Sequence, residues 1–129
     1  MNIPENLRYT KTHEWVLVND KTAKSGLTEY AQKELSDVVY IELPQIGRKV
    51  RQGESIAIVE SVKAAFDIYA AVSGEISAVN KKLDTDPSLI NADCYGDGWL
   101  FEIKLSNRAE VTNLLDKNSY AQIFSQTTR

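Results

Sequence analysis

Four short apolar runs crowd into the stretch from Val38 to Val79, and turn-forming or small residues separate them. Val38 to Leu43 is rich in β-branched residues and stops at Pro44, with a turn at Gly47. Ile56 to Val62, Phe66 to Val72 and Glu75 to Val79 follow, each bounded by small or turn residues. Strands this short and this closely spaced build a sandwich or a barrel, so the expected architecture is mainly β. At 129 residues the chain has the length of one domain, and its 43% apolar and 26% charged composition suits an ordinary folded protein. The domain is expected to span residues 1–129.

The flanks fit the same plan. Trp15 to Val18 marks a strand over Tyr9 to Val18 that ends at the turn-forming pair Asn19-Asp20. Thr28 is placed to cap a helix from Glu29 to Leu35, on which Tyr30, Ala31 and Leu35 share a face. A polar excursion from Asn80 to Asn91 has a helix start at Asp86-Pro87, and Trp99 to Leu105 returns to strand alternation. Asn107 with Glu110 three residues later predicts a capping box ahead of a helix with Val111, Leu114 and Leu115 on one face. A second short helix would carry Tyr120, Ile123 and Phe124.

Charge and cysteine usage remove several functions. With 15 Lys and Arg against 18 Asp and Glu, the net charge of -3 argues against binding to nucleic acid or to an anionic membrane. Cys94 stands alone, which excludes an internal disulfide and a multi-cysteine metal site and suits a reducing compartment. The N-terminal residues carry no visible targeting pattern, so the expectation is a cytoplasmic protein or a mature form whose targeting segment has been removed. His13 is the single histidine, which leaves no His-paired catalytic site and gives it a structural or docking role. Gly96 and Gly98 read as turn residues, and Trp15 and Trp99 as core or rim aromatics.

One lysine does not look like scaffolding. Gly53-Glu54 and Gly74-Glu75 lie 21 residues apart, and Lys63 falls ten after the first glycine and eleven before the second. If Ile56 to Val62 pairs antiparallel with Phe66 to Val72, the link is Lys63-Ala64-Ala65, with none of the glycine-bearing pairs that tight hairpins favour. Such a tip is selected for what recognises it.

The string Glu60-Ser61-Val62-Lys63-Ala64, with Asp67-Ile68-Tyr69 and Val72-Ser73-Gly74-Glu75, resembles the lipoyl-attachment region of the glycine cleavage H-protein family. The resemblance extends through His13-Glu14-Trp15, Gly26-Leu27-Thr28, Asp37-Val38-Val39-Tyr40, Leu89-Ile90-Asn91 and Tyr95-Gly96-Asp97-Gly98-Trp99, so it covers essentially the whole chain. Three residues depart from the family's habit: Phe66 and Ala71, where a small residue and proline are usual, and Cys94 in place of proline.

The resemblance implies a barrel-sandwich hybrid with flanking helices and a C-terminal helical segment, and lipoic acid held as an amide on Lys63. It implies a non-catalytic carrier that takes the aminomethyl group of glycine from glycine decarboxylase to aminomethyltransferase and electrons to dihydrolipoamide dehydrogenase, after modification by lipoate-attaching enzymes. A monomer is expected. Amide formation would remove the only cation between Gln52 and Asn80, leaving Glu54, Glu60, Asp67 and Glu75, and the net charge would pass from -3 to -4. A cationic cargo on the arm needs shelter, for which Thr12, Glu14 and Asp67 are the candidate docking residues. The alternative is an H-like lipoyl relay or scaffold protein that passes lipoate to other complexes. A biotin carrier would instead place methionines beside the lysine, where this chain has Val62 and Ala64.

Overall fold

The structure, a computed structural model, describes residues 2–127, with side chains through Ile123. Among these residues nine strands form two antiparallel sheets. The larger takes β1 (Arg8–Tyr9), β2 (Glu14–Asn19), β3 (Thr22–Leu27), β5 (Lys49–Val50), β8 (Gly74–Val79) and β9 (Phe101–Leu105), in the order β1-β2-β3-β9-β8-β5. The smaller takes β4 (Val38–Glu42), β6 (Ser55–Ser61) and β7 (Ala65–Tyr69), in the order β4-β6-β7. Helices flank them: α1 (Glu29–Leu35), α2 (Lys82–Thr85), α3 (Leu89–Ala92) and α4 (Lys117–Thr127), with a 3-10 segment at Arg108–Asn113.

On β6, Ala57 and Val59 are buried while Ile58 and Glu60 face out in period-two alternation, a register shift between Ser55 and Ala57 lets Ile56 be buried as well, and on β7 only Ile68 is fully buried. Val59 and Ile68 meet Ile76, Phe101 and Ile103 of the larger sheet in one apolar core. The two glycines that bracket Lys63 are backbone requirements. Gly53 has φ +87, and a Cβ on Gly74 would stand 1.9 Å from the Lys104 carbonyl oxygen. Thr28 caps α1 as expected, its hydroxyl accepting from the Ala31 amide at 3.2 Å.

Several expectations are corrected. The strand expected over Tyr9 to Val18 is broken at Thr10 to His13, where His13 takes φ +70 and its amide donates to the Thr10 carbonyl at 3.2 Å. The chain returns after Asn19-Asp20 as β3, which the sequence did not announce, and β7 ends at Tyr69, short of Val72. The helix expected after Asn107 is a 3-10 segment. Asn107 does accept from the Ala109 amide, but Glu110 reaches the Ser73 amide and hydroxyl at 2.7 and 2.8 Å instead of closing a capping box. Tyr120 is buried on α4 as expected, and the Phe124 side chain lies outside the described residues.

Tyr120 seats the C-terminal helix. Its ring stacks on Tyr9 with centroids 4.6 Å apart, and its hydroxyl lies 2.8 Å from His13 Nδ1 and 2.7 Å from Thr28 Oγ1. His13 is therefore a structural residue, half-buried, and desolvation holds its imidazole below the usual pKa. Among the described residues no helix is long and apolar enough to cross a membrane.

Candidate functional site

β6 and β7 pair antiparallel through Ile58↔Asp67, Val59↔Phe66 and Glu60↔Ala65, which leaves Val62-Lys63-Ala64 as the projecting tip. All three tip residues are exposed. The Val62 amide donates to the Asp37 carbonyl at 3.0 Å, and Lys63 Nζ donates to the Glu34 carbonyl at the end of α1, at 3.2 Å. Asn91 of α3 fixes that junction, accepting from the Val38 amide at 2.9 Å and donating to the Ser36 carbonyl at 2.7 Å. The backbone beneath the tip is thus anchored while the lysine side chain lies on the surface.

A cleft of about 430 Å³ opens farther down the hairpin, with Thr10, Thr12, Glu14, Gly53, Tyr69 and Ala71 in its lining. The Thr10–His13 turn concentrates oxygens there. Thr10 and Thr12 each donate a hydroxyl to Glu14 Oε1 at 2.5 Å, while Oε2 receives the Tyr69 amide at 3.3 Å. Two hydroxyls fill the lone pairs of Oε1, so Oε2 is the oxygen with capacity for a further donor. Glu14 is buried, with 1% of its surface exposed, and burial pushes its carboxyl above the ordinary pKa against the pull of these bonds.

Of the docking candidates, Thr12 and Glu14 meet in this cleft. Asp67 does not line it; the residue is exposed on β7 two positions nearer the tip than Tyr69. Nor does Phe66 wall the cleft, although it is 43% exposed beside the tip. Thr10 and Tyr69 belong to the site and were missed, because only the unforeseen turn and the end of β7 bring them to Glu14. Cys94 is a buried free thiol that burial pushes up to about 11, an inert state for a thiol. Its carbonyl accepts from Trp15 Nε1 at 2.9 Å.

A larger cleft, about 1000 Å³, lies along β5, β8 and β9. Its cations Lys49, Arg51 and Lys104 are interleaved with Glu54, Glu75 and Glu110, so it presents no net charge, and it holds none of Thr12, Glu14, Lys63 and Asp67. The outward face of the small sheet is different. Its rows Tyr40↔Glu60↔Ala65 and Glu42↔Ile58↔Asp67 expose three carboxylates and no cation.

Residues 7–127 match the family described as Glycine cleavage H-protein. The chain belongs to that family. It is 53% identical to the glycine cleavage system H protein of Thermotoga maritima over 119 residues, covering 92% of this chain and 96% of that protein. The H protein of Thermus thermophilus is 50% identical over 123 residues, covering 95% and 96%. A crystal structure of the Mycobacterium marinum H protein superposes with a TM-score of 0.86 at 34% identity, over 98% of this chain and 100% of that one. H-proteins are the lipoyl carriers of the glycine cleavage system, carrier subunits and not catalytic enzymes. The two-sheet fold with short flanking helices is the barrel-sandwich arrangement of such carriers.

Proposed function

We propose that Lys63 is the attachment site for lipoic acid and that the cleft around Glu14 receives the far end of the arm. The observation that carries this reading is a single exposed lysine at the apex of a hairpin that pairs with β4 and is bonded through Val62 to Asp37, between α1 and β4. When bound as an amide, lipoic acid supplies a dithiolane that can take up a one-carbon amine and, once reduced, return electrons.

Lys63 to Tyr69 is six steps of chain, at most ~20 Å. A lipoyl-lysine arm of about eleven bonds from Cα to the ring extends roughly 14 Å at the spacing of an extended chain. Laid back along β7, the arm directs the dithiolane and cargo, which lie beyond that length, toward Tyr69 and Glu14. An ammonium group there meets Glu14 Oε2, and its charge favours ionisation of a carboxyl that burial otherwise keeps protonated to higher pH. Thr10 and Thr12 hold the other oxygen fixed, so the acceptor is oriented before the cargo arrives. Enclosure on the Thr10–Glu14 turn limits access of water to an amine prone to hydrolysis.

In this role the single domain serves glycine decarboxylase, aminomethyltransferase and dihydrolipoamide dehydrogenase in turn, as a cytoplasmic monomer modified by lipoate-attaching enzymes. Tethering raises the effective concentration of the arm at each enzyme. Reconstitution tests this directly. Glycine cleavage by the three enzymes should require the lipoylated chain and be lost on its omission; turnover that persists without it would overturn the assignment.

A further inference from the structure

The hairpin tip turns without glycine, and no residue from Val62 to Ala64 has positive φ. The four backbone amides from Ser61 to Ala64 are nevertheless all bonded. Ser61 N donates to the Ala64 carbonyl at 2.9 Å and Val62 N to the Asp37 carbonyl at 3.0 Å. The other two depend on one side chain: Lys63 N and Ala64 N donate to Ser61 Oγ at 3.1 and 3.3 Å, and that hydroxyl lies 3.2 Å from the Ala64 carbonyl as donor. Two bonds accepted and one donated use the full capacity of a hydroxyl. Ser61 therefore does at this tip what an Asn-Gly pair does in an ordinary hairpin.

We propose that Ser61 is a positioning residue for the modification of Lys63, its hydroxyl holding the tip backbone in the one conformation from which Nζ reaches the acyl donor. The inference rests on the reading of Lys63 as the attachment site. In that step the neutral amine attacks the carbonyl carbon of lipoyl adenylate, an acyl–phosphate mixed anhydride. The C–N bond forms, the acyl–phosphate bond breaks, AMP leaves and the protons of the ammonium pass to solvent. A long side chain can reach many places, so the backbone beneath it decides which are populated. The modifying enzyme acts on the fraction of molecules with the competent tip, and lowering that fraction raises the apparent KM while kcat is kept.

The test compares wild type, Ser61→Ala and Ser61→Thr as substrates of a lipoate–protein ligase with lipoate and ATP, read by intact mass. Amide exchange at Lys63 and Ala64 and thermal unfolding are measured on the same unmodified proteins. Losing the two bonds to the hydroxyl should lower kcat/KM of Ser61→Ala by roughly tenfold through KM. Exchange at the two amides should accelerate with unfolding nearly unchanged, and threonine, which keeps the hydroxyl, should restore both. Equal kcat/KM for alanine and wild type, or a loss that threonine fails to rescue, overturns the proposal. A wild type left unmodified at Lys63 would instead refute the attachment site, and unaltered exchange in Ser61→Ala would separately refute the hold of the hydroxyl on the tip.

Discussion

Glu14 carries an electrostatic cost that its surroundings only partly offset. Burial raises its pKa above 4.5, and the two threonine hydroxyls and the Tyr69 amide pull it back. A carboxyl with a higher pKa folded than unfolded binds more protons in the native state between those two values, so stability falls as pH rises through that window. Glu14→Gln removes this contribution. In urea unfolding the variant should gain stability relative to wild type as pH is raised from below 4.5 to neutral; parallel pH curves would contradict the assignment. The same carboxylate should guard the cargo. With methylamine-loaded protein and no partner enzyme, Glu14→Ala should release formaldehyde roughly ten- to a hundredfold faster, the scale of a lost hydrogen bond to a charged group. Asp67→Ala should match wild type, because Asp67 stands outside the cleft.

At the scale of elements, the C-terminal helix is held through a hydroxyl shared with the turn that shapes the cleft. Tyr120→Phe deletes the contacts to His13 and Thr28 and should cost about 1–2 kcal/mol, a fall of roughly 5 °C in Tm. Lipoylation of Lys63 should be unaffected, since none of these residues bonds to the tip; a slower modification of this variant would show the two ends to be coupled. Local chemistry made α1 legible from Thr28, and the hairpin legible from two alternating runs around a lysine. β3 was not legible, because Lys24, Ser25 and Gly26 are poor strand formers. The strand exists because β2 and β9 flank it, and Gly26 lets the Trp15 ring lie where a Cβ would come within 2.7 Å. The Thr10–His13 turn was hidden for a related reason, a positive φ on a residue that gives no sign of it. Glu110 likewise looked like a local cap and is spent on Ser73, 37 residues away.

For the whole molecule, charge is distributed unevenly with respect to the tip. Glu42, Glu60 and Asp67 share the uncovered face of the small sheet with no cation among them, and amide formation at Lys63 would make the hairpin purely acidic. Exposed charges of this kind steer encounters and are screened over about 8 Å at physiological ionic strength. The apparent KM of glycine decarboxylase for the lipoylated protein should therefore rise with salt, and replacing the three residues by Gln, Gln and Asn should flatten that rise. An unchanged salt dependence would exclude steering by this face. The carrier role turns on Lys63, and intact mass with peptide mapping of protein from a lipoylating host tests it most directly. Wild type should carry one lipoyl increment on the peptide containing Lys63, and Lys63→Arg, which keeps charge and bulk but cannot be acylated in this way, should carry none while remaining folded. A lipoyl increment that persists in Lys63→Arg would contradict the account.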